Sequence, residues 1–458
     1  MENGMGISMS EEFATLDFNS SRLEKRFVKT METLAGQPER SIWFCSKNRA
    51  EAKAIYRMLS NDNLDREEIV RSHREATIQR IVESEKTILE IQDTTGLNYN
   101  RQKKREGIGY ISENTLGVDL HSSLAVTTDG ITLGLLYQMA YNRPYPKEGT
   151  EKLAGKHARP LEEKESFRWV KTLRESMKGI PKGVHIVNVC DREGDIYELI
   201  DEASNESQRF LIRIIHNRKT VGNEKILDEI REKPCMGEVK TKIPRDSRAG
   251  VKEREAILQI RYCNFAIRRP ANLKRYSNIK AFHEVNVIYI KEVPQDSAIE
   301  PIEWFLMTNE PVDDVREAYE KAQWYMQRWK IERFHHVLKT GCAVEKLQER
   351  SMDKTTTLVL MYSIIAAAIM NMTHIARIHP ELPCTLCFEE EEWKVLYCTA
   401  NKTKTAPEKP YTIGEAVTYL SWLGGPKRAP SDGPPGVKTI WIGLTKLYIL
   451  ISYMEWLP

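Results

Sequence analysis

The sequence predicts an α/β protein in which a mixed sheet is interrupted by a β-rich insertion and flanked by helical regions. Three observations carry that expectation. The runs 87–92 and 185–190 are short, rich in Val and Ile, and lead into Asp93 and Asp191; such runs read as buried central strands. Two longer β-like runs, 116–127 and 132–140, flank Asp129-Gly130, a dipeptide that favours a hairpin turn. Helical patterns fill 23–34, 49–59 and 66–82 ahead of these strands, and with 458 residues the chain is too long for one simple core, so two or three domains are expected.

In chain order, the N-terminal helical patterns alternate with polar breaks, and Ser46-Lys47-Asn48-Arg49 reads as a helix start. The strand ending in Asp93 is broken by Thr94-Thr95-Gly96, and the hairpin follows. A helix over 162–177 precedes the second strand, and Ile196-Tyr197-Glu198-Leu199-Ile200 begins another helix after Asp191. Strand, hairpin, helix, strand is the order of a ribonuclease H-like fold. The stretch from Asp191 to Glu332 far exceeds that fold's minimum and holds β-like runs at 256–267 and 283–293, so a β-rich insertion is expected at about 220–300. Residues 379–458 carry breaks at Pro426, Pro430, Pro434 and Pro435 between helical ends. The expected domains are 1–75, 76–378 and 379–458.

The densest chemistry lies at Tyr325, Arg328, Glu332 and Lys339. On one helix their offsets fall within an arc of roughly 60°. Met326, Ile331, Phe334, Val337 and Leu338 form the apolar back. One carboxylate between a phenol, a guanidinium and an ammonium suits phosphates held around a metal. The plain alternative is a surface helix with an ordinary i,i+4 ion pair. Asp93 and Asp191, at the carboxyl ends of strands, project to the sheet edge where ligands of open α/β folds collect. Their alternatives are an Asx-turn for Asp93 and a helix N-cap for Asp191.

Strand-Asp, strand-Asp and helix-Glu, with Tyr-x2-Arg-x3-Glu-x6-Lys around the Glu, resembles the DDE transposases of the insertion-sequence-four family. The likeness extends to Ile91-Gln92-Asp93-Thr94-Thr95, Cys190-Asp191-Arg192-Glu193, Arg209-Phe210-Leu211-Ile212-Arg213, Trp304-Phe305-Leu306-Met307-Thr308 and Arg328-Trp329-Lys330-Ile331-Glu332-Arg333-Phe334-His335. The resemblance implies a ribonuclease H-like catalytic core, a helical N-terminal DNA-binding region and a mainly helical C-terminal domain that pairs two protomers. It implies catalysis and metal binding by Asp93, Asp191 and Glu332. The cofactor would be Mg²⁺ as two ions, replaceable by Mn²⁺, since oxygen ligands suit a hard cation. It further implies nicking at the element's end, closure and reopening of a DNA hairpin, and joining of the 3′ end to target DNA. Tyr325, Arg328 and Lys339 are expected on phosphates, Arg213 and His216-Asn217-Arg218-Lys219 on DNA near the cut, and Trp304, with Trp329 as a second aromatic, stacked on an extruded base. His335 and His336 suit contacts behind the metal or with DNA better than ligation of Mg²⁺.

Composition is compatible with this. Hydrophobic residues at 41% and charged at 29% describe a globular chain. The net charge of +3 hides segregation: 19 Lys+Arg against 8 Asp+Glu across 209–280, and 9 against 4 across 22–57. Such tracts suit a polyanion, with contacts that weaken as salt rises, although a charge run can be only a solvated face. Residues 1–18 are polar and acidic without an apolar h-region, so a cytoplasmic, nucleoid-associated protein is expected. The uncharged stretch 355–376 approaches spanning length, but its polar residues favour a core helix. Eight irregularly spaced cysteines imply a reducing compartment. Cys384-x2-Cys387 with Cys398 and His379 could frame a zinc site, although one CxxC without a second is a weak signal. Two other functions share these residues: a metal-dependent nuclease without strand transfer, and a domesticated protein that binds DNA without cutting.

Overall fold

The structure, a computed structural model, describes residues 8–36, 41–102, 105–143, 161–243, 253–273, 276, 278–294, 300–426 and 433–454. Residues 1–7, Pro430 and part of the basic tract 209–280, all used above, lie outside them. Five helices open the fold: α1 (Met9–Glu12), α2 (Ser21–Gly36), α3 (Ile42–Cys45), α4 (Arg49–Met58) and α5 (Arg66–Ser84). The helix start expected within Ser46-Lys47-Asn48-Arg49 is borne out: Asn48 caps α4, its side chain accepting the Glu51 N–H at 3.0 Å.

The sheet contains β1 (Ile88–Asn98), β2 (Gly109–Ser112), β3 (Thr115–Thr127), β4 (Thr132–Tyr141), β5 (Ile186–Cys190) and β6 (Arg209–Arg213). β1 lies antiparallel to β3 and parallel to β5, β5 is parallel to β6, and β4 pairs with β3. This is the ribonuclease H-like arrangement, with α6 (Phe167–Ser176) and α7 (Tyr197–Asn205) in the crossovers. The hairpin turns at Gly130, whose φ of +98° and N–H to Thr127 carbonyl bond suit a residue without Cβ.

Two expectations need correction. β1 does not stop at Thr94: β3 is long enough to pair Thr94 with His121, Thr95 with Leu120 and Gly96 with Asp119. Gly96 is a site of close approach, where an added Cβ would lie 2.9 Å from Ile111. The helix expected from 162 begins only at Phe167, after a separate 3₁₀ turn at Leu161–Glu163. The β-rich insertion is present as expected, and among the described residues it forms no sheet of its own. After α8 (Ile226–Glu232), strands β7 (Gly237–Ile243), β8 (Arg254–Arg268), β9 (Phe282–Glu292) and β10 (Glu303–Thr308) pair antiparallel in succession, and β10 joins β6. The insertion therefore widens the central sheet.

Alternation along these strands separates two cores. Leu89, Ile91, Val187, Val189, Leu211 and Leu306 face the larger core, with Ile331 and Phe334. Cys190, Phe210, Ile212, Phe305 and Met307 face the other, with Trp169 and Leu173 of α6. The larger face is covered by α9 (Val315–Met326), α10 (Trp329–His336) and α11 (Met352–Ile378). By length and composition α11 could cross a membrane, yet 94% of its most apolar window is buried inside the protein. Its polar residues are bonded there: Ser363 to the Val359 carbonyl, Thr373 to that of Ile369, and Asn371 to that of Thr132. It is a core helix, as expected. The chain closes with α12 (Glu390–Asn401), α13 (Ile413–Gly424) and α14 (Val437–Met454). Here α13 and α14 touch through glycine: a Cβ on Gly443 would come 2.1 Å from the Leu420 carbonyl oxygen.

Candidate active site

Strand register assembles the site. β1 and β5 pair from Ile88 opposite Ile186 to Ile91 opposite Val189, and β5 and β6 pair through Val189 opposite Leu211. Carried two residues further, these registers set Asp93, Asp191 and Arg213 level on three adjacent strands, and Arg213 pairs with Leu306 of β10. Because Asp93 follows Leu89 and Ile91 at every second position, and Asp191 follows Val187 and Val189, both carboxylates point to the face that α10 covers. β5 ends at Cys190, so β1 beyond Ile91 keeps a strand partner on one side only.

The carboxylates feel one another. Burial raises the Asp93 carboxyl to about 7, and the charges of Asp191 and Glu332 add to that rise against the Thr94 N–H and Arg328. Asp93 Oδ1 accepts the Thr94 N–H at 2.7 Å, and Asp191 Oδ1 accepts the Glu193 N–H at 2.8 Å, capping a 3₁₀ turn. The N-cap alternative for Asp191 is thus real, and it occupies one oxygen. Arg328 Nη2 meets Glu332 Oε1 at 2.5 Å while Nη1 stands 3.7 Å from Asp93 Oδ2. Three carboxylates against one guanidinium leave an excess of negative charge, with oxygen donors only. In type and charge they fit a hard divalent cation. In this conformation Arg328 lies between two of them, and no three acidic, His or Cys side chains among the described residues meet at ligating distance.

The helix expected to carry Tyr325, Arg328, Glu332 and Lys339 is broken. α9 stops at Met326, and the Arg328 N–H to Tyr325 and Lys330 N–H to Gln327 bonds tighten the junction into a 3₁₀ turn. After α10 the chain loosens into a π-turn, Val337–Gly341, which carries Lys339. Tyr325, in the last turn of α9, is 4% exposed. Burial raises its phenol pKa, against Arg328 and Arg213, and Asp191 adds to the rise. Trp304 meets the Tyr325 ring edge-on at 5.6 Å. Tyr325, Arg328, Arg213 and Trp304 therefore share the neighbourhood of the carboxylates. Lys339 is half-buried near His335, whose imidazole is lowered to about 3 by burial, Lys339 and Arg328. His336 and His216 are exposed, as is Trp329 at 42%.

Arg218 is a correction. It is buried, bonded to Asp195 through Nη1 and to the Asp195 carbonyl through Nη2 at 2.8 Å, so it is not available to a phosphate. Cys384 and Cys387 are also buried, Cys384 with its thiol raised to about 11 by burial, and they join no metal-sized cluster among the described residues. Sequence reasoning missed Arg168, whose side chain bridges Thr94 and Glu193. As a single arginine on an amphipathic helix it carried no signal.

Three family profiles match the chain. A transposase DDE domain profile matches residues 167–369, a span that contains Asp191 and Glu332 while Asp93 lies ahead of it. The chain is a DDE transposase, an enzyme class that depends on divalent metal. A transposase DNA-binding profile matches residues 8–64 and the Tn5 transposase dimerisation domain matches 364–456, so the chain belongs to the Tn5-like DDE transposases. Helix α11 is shared by the DDE and dimerisation spans. Among solved structures, piggyBac transposase in a synaptic complex with hairpin DNA, determined by cryo-EM, resembles 97% of this chain over 78% of its own length, at 11% identity and a TM-score of 0.36. A likeness that faint decides nothing further.

Proposed function

We propose that this chain is a cut-and-paste transposase that binds the ends of its own insertion element, cleaves them through a hairpin intermediate and joins the 3′ ends to target DNA. The observation that carries this reading is geometric: the β1–β5 register sets Asp93 and Asp191 side by side, and Arg328 bridges from 3.7 Å of Asp93 to Glu332 at 2.5 Å. Asp93 would bridge two cations, Asp191 would hold one and Glu332 the other, with Mg²⁺ favoured and Mn²⁺ able to substitute. Such a pair supplies an activated water or 3′-hydroxyl and steadies the leaving oxygen.

The protein's own residues bind and orient the DNA. Arg328, now held by Glu332, carries a planar fork suited to bidentate phosphate contact. Tyr325, kept protonated by burial, donates a hydroxyl; Lys339, Arg213 and His216 add positive or polar contacts around the cut. Residues 1–75 and 379–458 would bind the element end and pair two protomers in a synaptic homodimer, within a cytoplasmic, nucleoid-associated setting. Trp304 would stack on the base expelled as the hairpin closes, a contact worth about 1–3 kcal/mol. Trp304→Ala should therefore slow hairpin closure by roughly 5- to 150-fold and leave the first nick nearly untouched. Equal slowing of both steps would contradict that role.

The test of the whole reading is incubation with duplexes carrying the element's own ends, with and without Mg²⁺, while resolving nicked, hairpin and joined products. Hairpins and joined ends only with Mg²⁺ are expected. Cutting without joining would identify a plain nuclease, and binding without a nick would identify a regulatory DNA-binding protein.

A further inference from the structure

The cation reading above requires Asp93 and Asp191 to keep a fixed separation, and the structure shows what could hold it. We propose that Arg168 is a positioning residue that sets the spacing of the two aspartates, acting through Thr94 and Glu193 from behind the sheet. The inference rests on the proposed cation site.

Each aspartate takes one backbone N–H: Asp93 from Thr94 at 2.7 Å, Asp191 from Glu193 at 2.8 Å. The side chains of these same two residues meet on Arg168, in the first turn of α6. Its Nε donates to Thr94 Oγ1 at 3.1 Å and its Nη2 to Glu193 Oε2 at 2.8 Å, while Nη1 is fixed on the Glu165 carbonyl at 2.9 Å. One planar, 14% exposed guanidinium thus ties together both clamps. Thr94 points away from Asp93 because successive strand residues face opposite sides, which is why the clamp reaches the site from the back of β1.

The Thr94 arm is braced further. A guanidinium has no acceptor, so the Thr94 hydroxyl accepts from Arg168 and gives its own proton to His121 Nδ1 at 2.7 Å. His121 Nε2–H then donates to Gln92 Oε1 at 3.1 Å, and Gln92 donates to Glu90 Oε1 at 3.3 Å. This direction requires a neutral imidazole, and burial together with the charges of Arg168 and His335 holds His121 well below its ordinary pKa. His121, Gln92 and Glu90 are fully buried, so the chain of donors has no solvent with which to exchange partners. The other arm is different: Glu193 is 62% exposed, held mainly by Arg168. Lysine at position 168 could reach one arm but not both, since its single ammonium lacks the fork.

The test uses the full chain and Mn²⁺ itself, with binding followed by electron paramagnetic resonance in the absence of DNA. Arg168→Lys should weaken Mn²⁺ binding about 10- to 100-fold, the usual effect of losing a partner behind a metal ligand. Cleavage should slow by a similar factor, with affinity for end DNA in chelator and the melting temperature close to wild type. Glu193→Gln should shift Mn²⁺ affinity in the same direction by less, and the double variant should be no weaker than Arg168→Lys, because both act through one strut. Wild-type Mn²⁺ affinity in Arg168→Lys, or additive losses in the double variant, would overturn the proposal. Should Arg168→Lys fold poorly, exposed Glu193 decides: unchanged Mn²⁺ affinity in Glu193→Gln overturns it equally. If the wild-type chain shows no Mn²⁺ binding that Asp191→Ala removes, the cation reading has failed first, and that result is told apart because it precedes any change at Arg168.

Discussion

Asp93→Asn is expected to abolish cleavage and, at pH 8 without divalent cation, to make the protein more stable. Asp93 is 17% exposed at its side chain and faces Asp191 and Glu332 with Arg328 only 3.7 Å away. Its carboxyl is raised from an ordinary 3.8 to about 7, with burial the main cause. Between those values the folded state holds a proton that the unfolded chain has released. The stability contributed is therefore fully present below about pH 4 and lost as the pH rises through about 7. At about 1.4 kcal/mol per unit the ionised carboxylate costs at most about 4 kcal/mol at pH 8, with the attraction of Arg328 already included in that shift. Asparagine keeps the oxygen that accepts the Thr94 N–H and removes the charge. A gain of about 2 kcal/mol, seen as a higher melting temperature, is the expected outcome at pH 8, shrinking toward pH 5. Divalent cation should reverse the order, because it stabilises only the chain that binds it. Cleavage should fall by at least about 10³-fold, the scale of several kcal/mol of charge stabilisation lost from the reacting centre. End binding should survive. A melting temperature below wild type at pH 8 would show that Asp93 is paired where we find it crowded.

The carboxylates were legible because each closes a short run rich in Val and Ile, the pattern of a buried strand whose carboxyl end meets the sheet edge. That both point to one face follows only from the β1–β5 register. What could not be read was which strands are neighbours: Arg213 reaches the row because β6 pairs with β5, and Trp304 comes beside it because β10, the last strand of the insertion, returns to pair with β6. The end of β1 was misplaced for a related reason. Thr94-Thr95-Gly96 has the composition of a break, but the 13 residues of β3 provide partners that local propensity cannot anticipate. The signature helix was right in content and wrong in continuity, since an ideal 3.6-residue period conceals a 3₁₀ junction and a π-turn. Arg168 was invisible, its partners lying 74 and 25 residues away along the chain.

Arg218→Ala is expected to destabilise the fold by about 3–5 kcal/mol, the cost of leaving a buried charge without its partner. Position in a basic tract suggested DNA; burial assigns another role. Arg218 is 8% exposed and Asp195 is 0% exposed. The Asp195 carboxylate meets Arg218 on one oxygen and accepts the N–H groups of Ile215 and His216 on the other, at 2.8 and 2.9 Å. That knot ties the turn following Asp191 to the loop following β6, close to Arg213, so it supports the row of site residues without touching substrate. Adding Asp195→Asn to the Arg218→Ala chain should recover part of the loss, because the amide keeps an acceptor for the two N–H groups and no longer buries a charge. Such recovery has no counterpart for a phosphate contact. A residue that held DNA would instead, when removed, weaken end binding in a salt-dependent way and leave the unfolding transition where it was. Chemical denaturation of the single and double variants, set beside salt titration of end binding, separates the two: an unchanged unfolding midpoint in Arg218→Ala with a reduced salt slope would return Arg218 to the DNA.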